Sequence, residues 1–120
     1  MLKGKTNNII QLFPKPVIGA IGTFSFDGKF STFDETDRII MGLPKSGKAT
    51  YKDVLNCVDI KDRVRFEETT LGLKTKAPII KFKPILLANG NVVEDTHYRE
   101  FGEDGKLLKV EGFTKLISVA

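Results

Sequence analysis

The sequence predicts an α+β fold with a five-stranded antiparallel sheet and helices that cover one of its faces. Two observations lead to this prediction. The apolar spacing changes from strand-like to helical and back to strand-like along the 120 residues. Asp-Gly and Asn-Gly pairs also separate the strand-like segments in the way that hairpin turns do. The resulting order of elements is β-β-α-α-α-β-β-β, in which helices lie between a hairpin and a three-stranded meander.

The first two strands follow an N-terminal segment of mixed character. We interpret residues 1–17 as a linker or a short packing helix. Alternating apolar residues over 18–26 predict the first strand. Asp27-Gly28 is a dipeptide that two-residue hairpin turns favour, so a second strand is predicted over 29–33.

Three helices are predicted between this hairpin and the meander. The residues predicted to cap them are Asp34, Thr50 and Asp59. Asp37 lies three positions after the first cap and could reach back toward the Asp34 backbone, as in a capping box. The third helix is predicted over 61–73.

The last part of the chain returns to strand spacing. Its predicted strands and turns are 79–87, Asn89-Gly90, 92–101, Asp104-Gly105 and 107–117. Pro84 cannot donate a ladder hydrogen bond, so it belongs on an edge strand or at a bulge. If the last strand pairs with the first, strand 79–87 lies at an edge. Both alternating sets of this strand are apolar, which leaves its inward face open.

The composition argues against several classes of protein. Hydrophobic residues make up 41% and charged residues 28% of the chain, as in ordinary globular domains. The net charge of +4 comes from scattered lysines, so we expect no nucleic-acid binding. The single Cys57 excludes a disulfide framework. We see no signal peptide or membrane segment and expect a cytoplasmic location.

A set of short motifs then appears in order along the chain. They are I-G-T-F-S-F-D at 21–27, G-L-P at 42–44, V-D-I-K-D-R at 58–63, N-G at 89–90, D-G-K at 104–106, V-E-G-F at 110–113 and L-I-S at 116–118. Together they resemble PAS domains of the PAS/PAC type, and the resemblance covers residues 18–118. It departs at Asp59-Ile60, where the family usually has His-Pro. It also departs at Leu116, where an aspartate often couples the sheet to a following helix.

The resemblance implies a PAS domain over 18–118 that acts as a sensory input domain of a longer bacterial signalling protein. Such a domain binds a small ligand or a partner and regulates an attached output domain, of the histidine kinase or diguanylate cyclase type. It is not itself an enzyme. The alternative is a ligand-free interaction module. In either case a homodimer through residues 7–13 and the outer face of the sheet is expected.

The strand over 92–101 carries the most informative polar residues. Asp95, His97 and Arg99 share one face by the period of two. Resemblance to ligand-binding PAS domains turns this face toward the helices, where ionisable groups must be paired or bind a polar ligand. An internal ion-pair set, or a register slip that turns them to solvent, is the alternative. The other predicted lining residues are Phe24, Phe26, Phe33, Ile40, Val110 and Thr114, with room for a pocket beside Gly112.

Cofactors and catalysis receive little support from the sequence. Cys57 lacks the flanking residues of the flavin-binding light sensors. His97, the one histidine, does not lie on the long helix that carries the haem ligand in oxygen-sensing relatives. We find no set of metal ligands and no nucleophile–base arrangement. The prediction is therefore a domain without catalytic residues, metal, haem or flavin, whose ligand would be an unidentified small molecule.

Overall fold

One antiparallel sheet organises residues 15–45 and 47–120, the part of the chain that the computed structural model describes. The elements in chain order are β1 (Ile21–Phe26), β2 (Phe30–Phe33), α1 (Glu35–Met41), β3 (Ala49–Thr50), α2 (Tyr51–Asn56), α3 (Arg63–Thr70), β4 (Ile79–Lys81), β5 (Ile85–Leu86), β6 (Val92–Phe101) and β7 (Leu107–Ser118). This arrangement confirms the predicted α+β fold. The predicted segment at 7–13 lies outside the described residues.

The order of strands across the sheet is β3-β2-β1-β7-β6-β4, and β5 also pairs with β6. The last strand therefore pairs with the first, as predicted. Phe24 of β1 and His97 of β6 both pair with Gly112 of β7, so these three residues form one row across the sheet. This row lies on the face that the helices cover.

The edge strand differs from its prediction in one respect. A continuous strand was predicted over 79–87, but the structure breaks it into β4 and β5, and Pro84 lies in the break. Both pieces pair with β6, so the strand is at the edge as predicted. The buried residues that follow β4 are Phe82, Ile85 and Leu87, whereas Ile79 is exposed. The side of the segment that carries Phe82, Ile85 and Leu87 therefore faces the core.

The caps of the first two helices agree with the sequence, with one correction. The Asp37 backbone N–H donates to Asp34 Oδ1 at 2.8 Å. The Thr50 side chain forms a complete capping box with Asp53 at the start of α2. The expectation that Asp37 reaches back was wrong, because the Asp34 N–H donates to the Thr23 carbonyl instead. The Asp37 carboxyl is thereby left for a tertiary contact.

The third helix is shorter than the predicted 61–73 and begins later. Asp59 does not cap it, because its Oδ1 accepts from the Lys61 N–H in the turn before the helix. Asp62 is the residue that precedes α3, and no side-chain cap bond forms there. Its Oδ2 instead accepts from the Leu86 N–H at 2.8 Å, which joins the start of α3 to the edge strand.

The core lies between the helices and the inner face of the sheet. Its buried residues are Ile40, Met41, Val58, Phe66, Phe82, Ile85, Leu87, Val93 and Leu116. Leu116, which replaces the usual aspartate of the resembling family, is fully buried among them. Within residues 15–45 and 47–120, no helix has both the length and the apolar character needed to cross a membrane.

Candidate functional site

Three ionisable side chains of β6 lie on the inner face of the sheet. Asp95, His97 and Arg99 are only 4%, 2% and 6% exposed. Their partners across the ladder are Thr114, Gly112 and Val110 of β7. The predicted register is therefore confirmed, and the alternative in which these groups face solvent was wrong.

His97 is held by one polar contact and a set of aromatic rings. Its Nε2 lies 3.2 Å from Asp95 Oδ2. The ring centroids of Phe82, Phe24 and Phe66 lie 4.4, 5.1 and 6.1 Å from that of the imidazole. Asp95 and His97 thus form a buried polar pair, whereas the sequence left open an internal ion-pair set that also included Arg99. Aromatic rings enclose it on the side of the helices.

Arg99 has a different role from the one predicted. Its guanidinium donates to the backbone carbonyls of Thr69, Thr75 and Ala77, the last at 2.7 Å. Burial lowers the pKa of this guanidinium from its ordinary value. Arg99 therefore ties the end of α3 and the segment after it to β6. It does not line the cavity described next.

A small cavity lies between the sheet and the helices, next to the Asp95–His97 pair. It leaves about 40 Å³ in which the centre of a water molecule can move, which is room for roughly three waters. The residues that line it are Phe24, Phe26, Ser31, Phe33, Met41, Tyr51, Val54, Phe66, Thr70, Asp95, His97, Val110 and Thr114.

This lining agrees with most of the predicted set and differs at particular positions. Phe24, Phe26, Phe33, Asp95, His97, Val110 and Thr114 were predicted and do line the cavity. Ile40 was wrongly placed there, because it is fully buried in the apolar core instead. The prediction of room beside Gly112 was also wrong. A Cβ at this position would lie 2.7 Å from Phe24 Cζ, so the Phe24 ring already fills that space.

Sequence reasoning missed several lining residues. They are Ser31, Met41, Tyr51, Val54, Phe66 and Thr70. The period of two along β2 could have placed Ser31 on the same face as Phe33. The spacing of four between Phe66 and Thr70 puts both on one face of a helix. Period counting within each element could thus have found these residues once the inward face was known.

Several buried polar atoms at this cavity have no hydrogen-bond partner. They are Asp95 Oδ1, His97 Nδ1, Thr70 Oγ1 and the Tyr51 hydroxyl. The pKa of Tyr51 is raised by burial and then by the nearby Glu67 carboxylate, yet the two groups do not form a hydrogen bond of good geometry. An unsatisfied buried polar group costs about 1–3 kcal/mol. The cavity therefore offers unused hydrogen-bonding capacity.

A second buried carboxyl lies beside this group. Asp37 of α1 is fully buried, and its Oδ2 accepts from the Thr114 hydroxyl at 3.3 Å. Burial, and then the Asp95 charge, raise the pKa of Asp37 to about 8. Gly22 makes the contact possible, since a Cβ there would lie 2.5 Å from the Asp37 Cβ. No local pattern marks Asp37 as more than a helix-start residue.

The remaining candidate groups do not contribute to this site. The Cys57 thiol donates to the Asp53 carbonyl at 3.4 Å and is not among the lining residues. Burial raises its pKa, which reduces the thiolate that reactivity requires. In the described part of the chain, no group of three or more His, Cys, Asp or Glu side chains could hold a metal ion.

The order of strands and the helices on one face define the PAS fold, and comparison with solved structures agrees. A domain of a protein described as a light and redox sensing histidine kinase from Haloarcula marismortui superposes with a TM-score of 0.65 and 12% identity, covering 96% of this chain and 99% of that one. The N-terminal domain of a diguanylate cyclase with PAS/PAC sensor from Marinobacter aquaeolei gives 0.60 and 14%, covering 82% and 96%.

A third structure belongs to the same group. A sensory box histidine kinase/response regulator from Burkholderia thailandensis superposes with a TM-score of 0.58 and 11% identity, covering 82% of this chain and 77% of that one. At the level of sequence, no family model and no curated protein matches the chain. The chain therefore has the PAS fold, as its sequence predicted, and its function has to be argued from the site.

Proposed function

We propose that this chain is a sensory input domain, spanning residues 18–118, that binds a small polar ligand in the cavity and regulates an attached output domain. The observation that carries the proposal is the cavity itself, because buried polar atoms without partners surround it. A core that served packing alone would be expected to pair these atoms or replace them with apolar groups. A ligand that supplied the missing hydrogen bonds would be stabilised by them.

The proposed type of output domain is based on the similar solved structures and not on the cavity. Two of the similar structures are described as histidine kinases and one as a diguanylate cyclase with a PAS/PAC sensor. We propose an output domain of one of these two types. We assign no catalytic role to the domain itself, since in the described part of the chain the Thr114 hydroxyl donates to Asp37 and the side-chain partner of His97 is Asp95.

A matched pair of variants tests ligand binding. Ser31 lines the cavity, and Thr32 lies next to it on the opposite, exposed face of β2. Ser31→Val replaces a hydroxyl with two methyl groups at the cavity, whereas Thr32→Val alters only the outer face. ¹⁵N-labelled protein would be screened by NMR against polar compounds of up to about three heavy atoms, the size that the cavity admits. A ligand should shift the amides of Thr70, Asp95 and Thr114.

The expected shifts occur in the unaltered chain and in Thr32→Val, and disappear in Ser31→Val. The proposal fails if no compound shifts these amides, or if both variants respond alike. Regulation is measured separately, by joining the domain to a histidine kinase core and following autophosphorylation. The ligand should change the rate in the fusion that carries Thr32→Val and not in the one that carries Ser31→Val.

A second candidate is an interaction module that dimerises through the outer face of the sheet. Ile79 and Tyr98, which pair across the ladder, are 59% and 46% exposed on that face. The Tyr98 ring lies 6.3 Å from that of Phe113. We propose that this apolar patch contributes to a homodimer. Tyr98→Glu should lower the mass measured by sedimentation at a fixed concentration, and Tyr98→Phe should leave it unchanged. A monomeric unaltered chain would exclude this candidate.

A further inference from the structure

The cavity lining contains a carboxyl group but no basic side chain other than the imidazole of His97, within the part of the chain that the structure describes. Among those described residues, Asp95 supplies the carboxyl group, and no lysine or arginine lines the cavity. Asp37 lies close enough for the Asp95 charge to raise its pKa, which leaves Asp37 protonated and uncharged at neutral pH. The nearby arginines are engaged elsewhere: Arg99 binds backbone carbonyls, and Arg38 donates to the carbonyls of Phe33 and Pro44. A cation is therefore the ligand charge that this environment favours.

The unpaired polar atoms are mainly hydrogen-bond acceptors. Asp95 Oδ1 can only accept when the carboxyl is ionised. When Nε2 of a neutral His97 donates to Asp95, its Nδ1 is also an acceptor. The hydroxyls of Thr70 and Tyr51 each offer lone pairs as well. An ammonium group, which has several N–H donors and no acceptor, complements such a set.

Aromatic rings form a large part of the remaining wall, together with the side chains of Met41, Val54 and Val110. The rings that line the cavity belong to Phe24, Phe26, Phe33, Tyr51 and Phe66. Aromatic faces attract ammonium groups, and the attraction grows when the cation is removed from water. Because the cavity has room for roughly three water-sized groups, only the smallest organic cations fit within the 40 Å³.

We propose that the ligand of this cavity is a small aliphatic ammonium, with its N–H groups bound by Asp95 and the neighbouring acceptors and its carbon atoms held among the aromatic rings. This inference rests on the proposed sensory function and names the chemical class of the ligand. It differs from a general attraction for cations, because it requires N–H donors as well as charge.

Methylammonium chloride is the probe, added to the 120-residue chain. Potassium chloride at the same ionic strength supplies a cation without N–H groups, and methanol supplies a neutral molecule of similar size. Binding is followed by the amide shifts of Thr70, Asp95 and Thr114 and by the rise in unfolding temperature that a ligand of the folded state produces. We expect methylammonium to give both signals and potassium and methanol to give neither.

Two substitutions and one control refine the assignment. Asp95→Asn should weaken methylammonium binding roughly 10- to 100-fold, because it removes a charged hydrogen-bond acceptor. Glu94→Gln removes the neighbouring carboxylate on the opposite face of β6 and should leave binding unchanged. Should Asp95→Asn fail to fold, Thr70→Val provides the second variant, with an expected loss of about 2- to 10-fold.

The outcomes separate this inference from the function on which it rests. Equal responses to potassium and methylammonium, or unaltered binding in both Asp95→Asn and Thr70→Val, would overturn the ammonium assignment. If methanol shifts the cavity amides and methylammonium does not, the cavity is a site for neutral ligands. The assignment is then wrong, while the sensory function stands. If no probe of any class shifts these amides, both proposals fail.

Discussion

Replacing Asp37 by Asn should remove a large part of the pH dependence of stability. The pKa of this buried carboxyl is raised from 3.8 to about 8 in the folded chain. Between these values the folded chain holds a proton that the unfolded chain has released, so the free energy of unfolding falls as pH rises. The stability that the folded chain has while Asp37 stays protonated is fully present below pH 3.8 and is lost by about pH 8.

The size of the effect follows from the same shift. Each pH unit within this window corresponds to about 1.4 kcal/mol, so Asp37 lowers the free energy of unfolding by about 3 kcal/mol from pH 5 to pH 7. That is a measurable part of the 5–15 kcal/mol typical of a domain. Asn keeps the volume and an oxygen that can accept from Thr114, but it cannot ionise. The difference in unfolding free energy between the variant and the unaltered chain should therefore grow with pH.

Urea unfolding followed by circular dichroism at pH 5, 6 and 7 measures this difference. Glu35→Gln is the control, because it removes an exposed carboxylate from the first turn of the same helix. It should leave the pH dependence close to that of the unaltered chain. A pH dependence in Asp37→Asn that matches the unaltered chain would refute the argument that Asp37 is buried in its protonated form.

Three further substitutions test other parts of the structure, two by the midpoint of urea unfolding and one by amide hydrogen exchange. Gly22→Ala should destabilise the fold by about 1–3 kcal/mol, because its Cβ would collide with Asp37; a neutral result would contradict that close approach. Arg99→Lys keeps the charge but loses the guanidinium group that donates to three backbone carbonyls. The amides after α3 should therefore exchange hydrogen faster. Unchanged exchange would argue against the role of Arg99 in holding this segment. Thr50→Ala should lower the free energy of unfolding by about 1 kcal/mol, because it removes the capping box. Thr32→Ala is the control at a position that caps no helix, and it should lower this free energy less.

The grouping of the polar residues on β6 could be predicted because a strand offers only two faces, and the resemblance to ligand-binding PAS domains indicated which face turns inward. Turn dipeptides fixed the limits of the strand, and the period of two then placed Asp95, His97 and Arg99 together. Pro84 could be assigned to an edge because its missing N–H is a property of the residue alone. In both cases a local property of the sequence limited the choices. The inward face then came from the resemblance, and the edge position came from the predicted order of strands.

The helical side of the site could not be predicted in the same way. The apolar residues of α3 show almost no preference for one side of the helix: Phe66 is buried, whereas Val64 is 69% exposed. Asp37 matches a capping-box position, yet the Thr114 hydroxyl attracts its side chain inward. Arg99 shares a strand face with Asp95, but its guanidinium donates to backbone carbonyls, including that of Thr75 after α3. Each outcome depends on a tertiary partner that no local pattern specifies.

Two of the helices that line the cavity, α2 and α3, are not held equally, and this bears on how a bound ligand could be sensed. The α3 helix buries Phe66 and Thr70, and Arg99 ties its end to the sheet. The α2 helix buries none of its residues, although Tyr51 and Val54 line the cavity. Segments with little buried area open at lower free energy than the core. A ligand can shift a conformational equilibrium only through contacts that differ between its two states, so we expect α2, rather than α3, to be the element whose position a bound ligand changes.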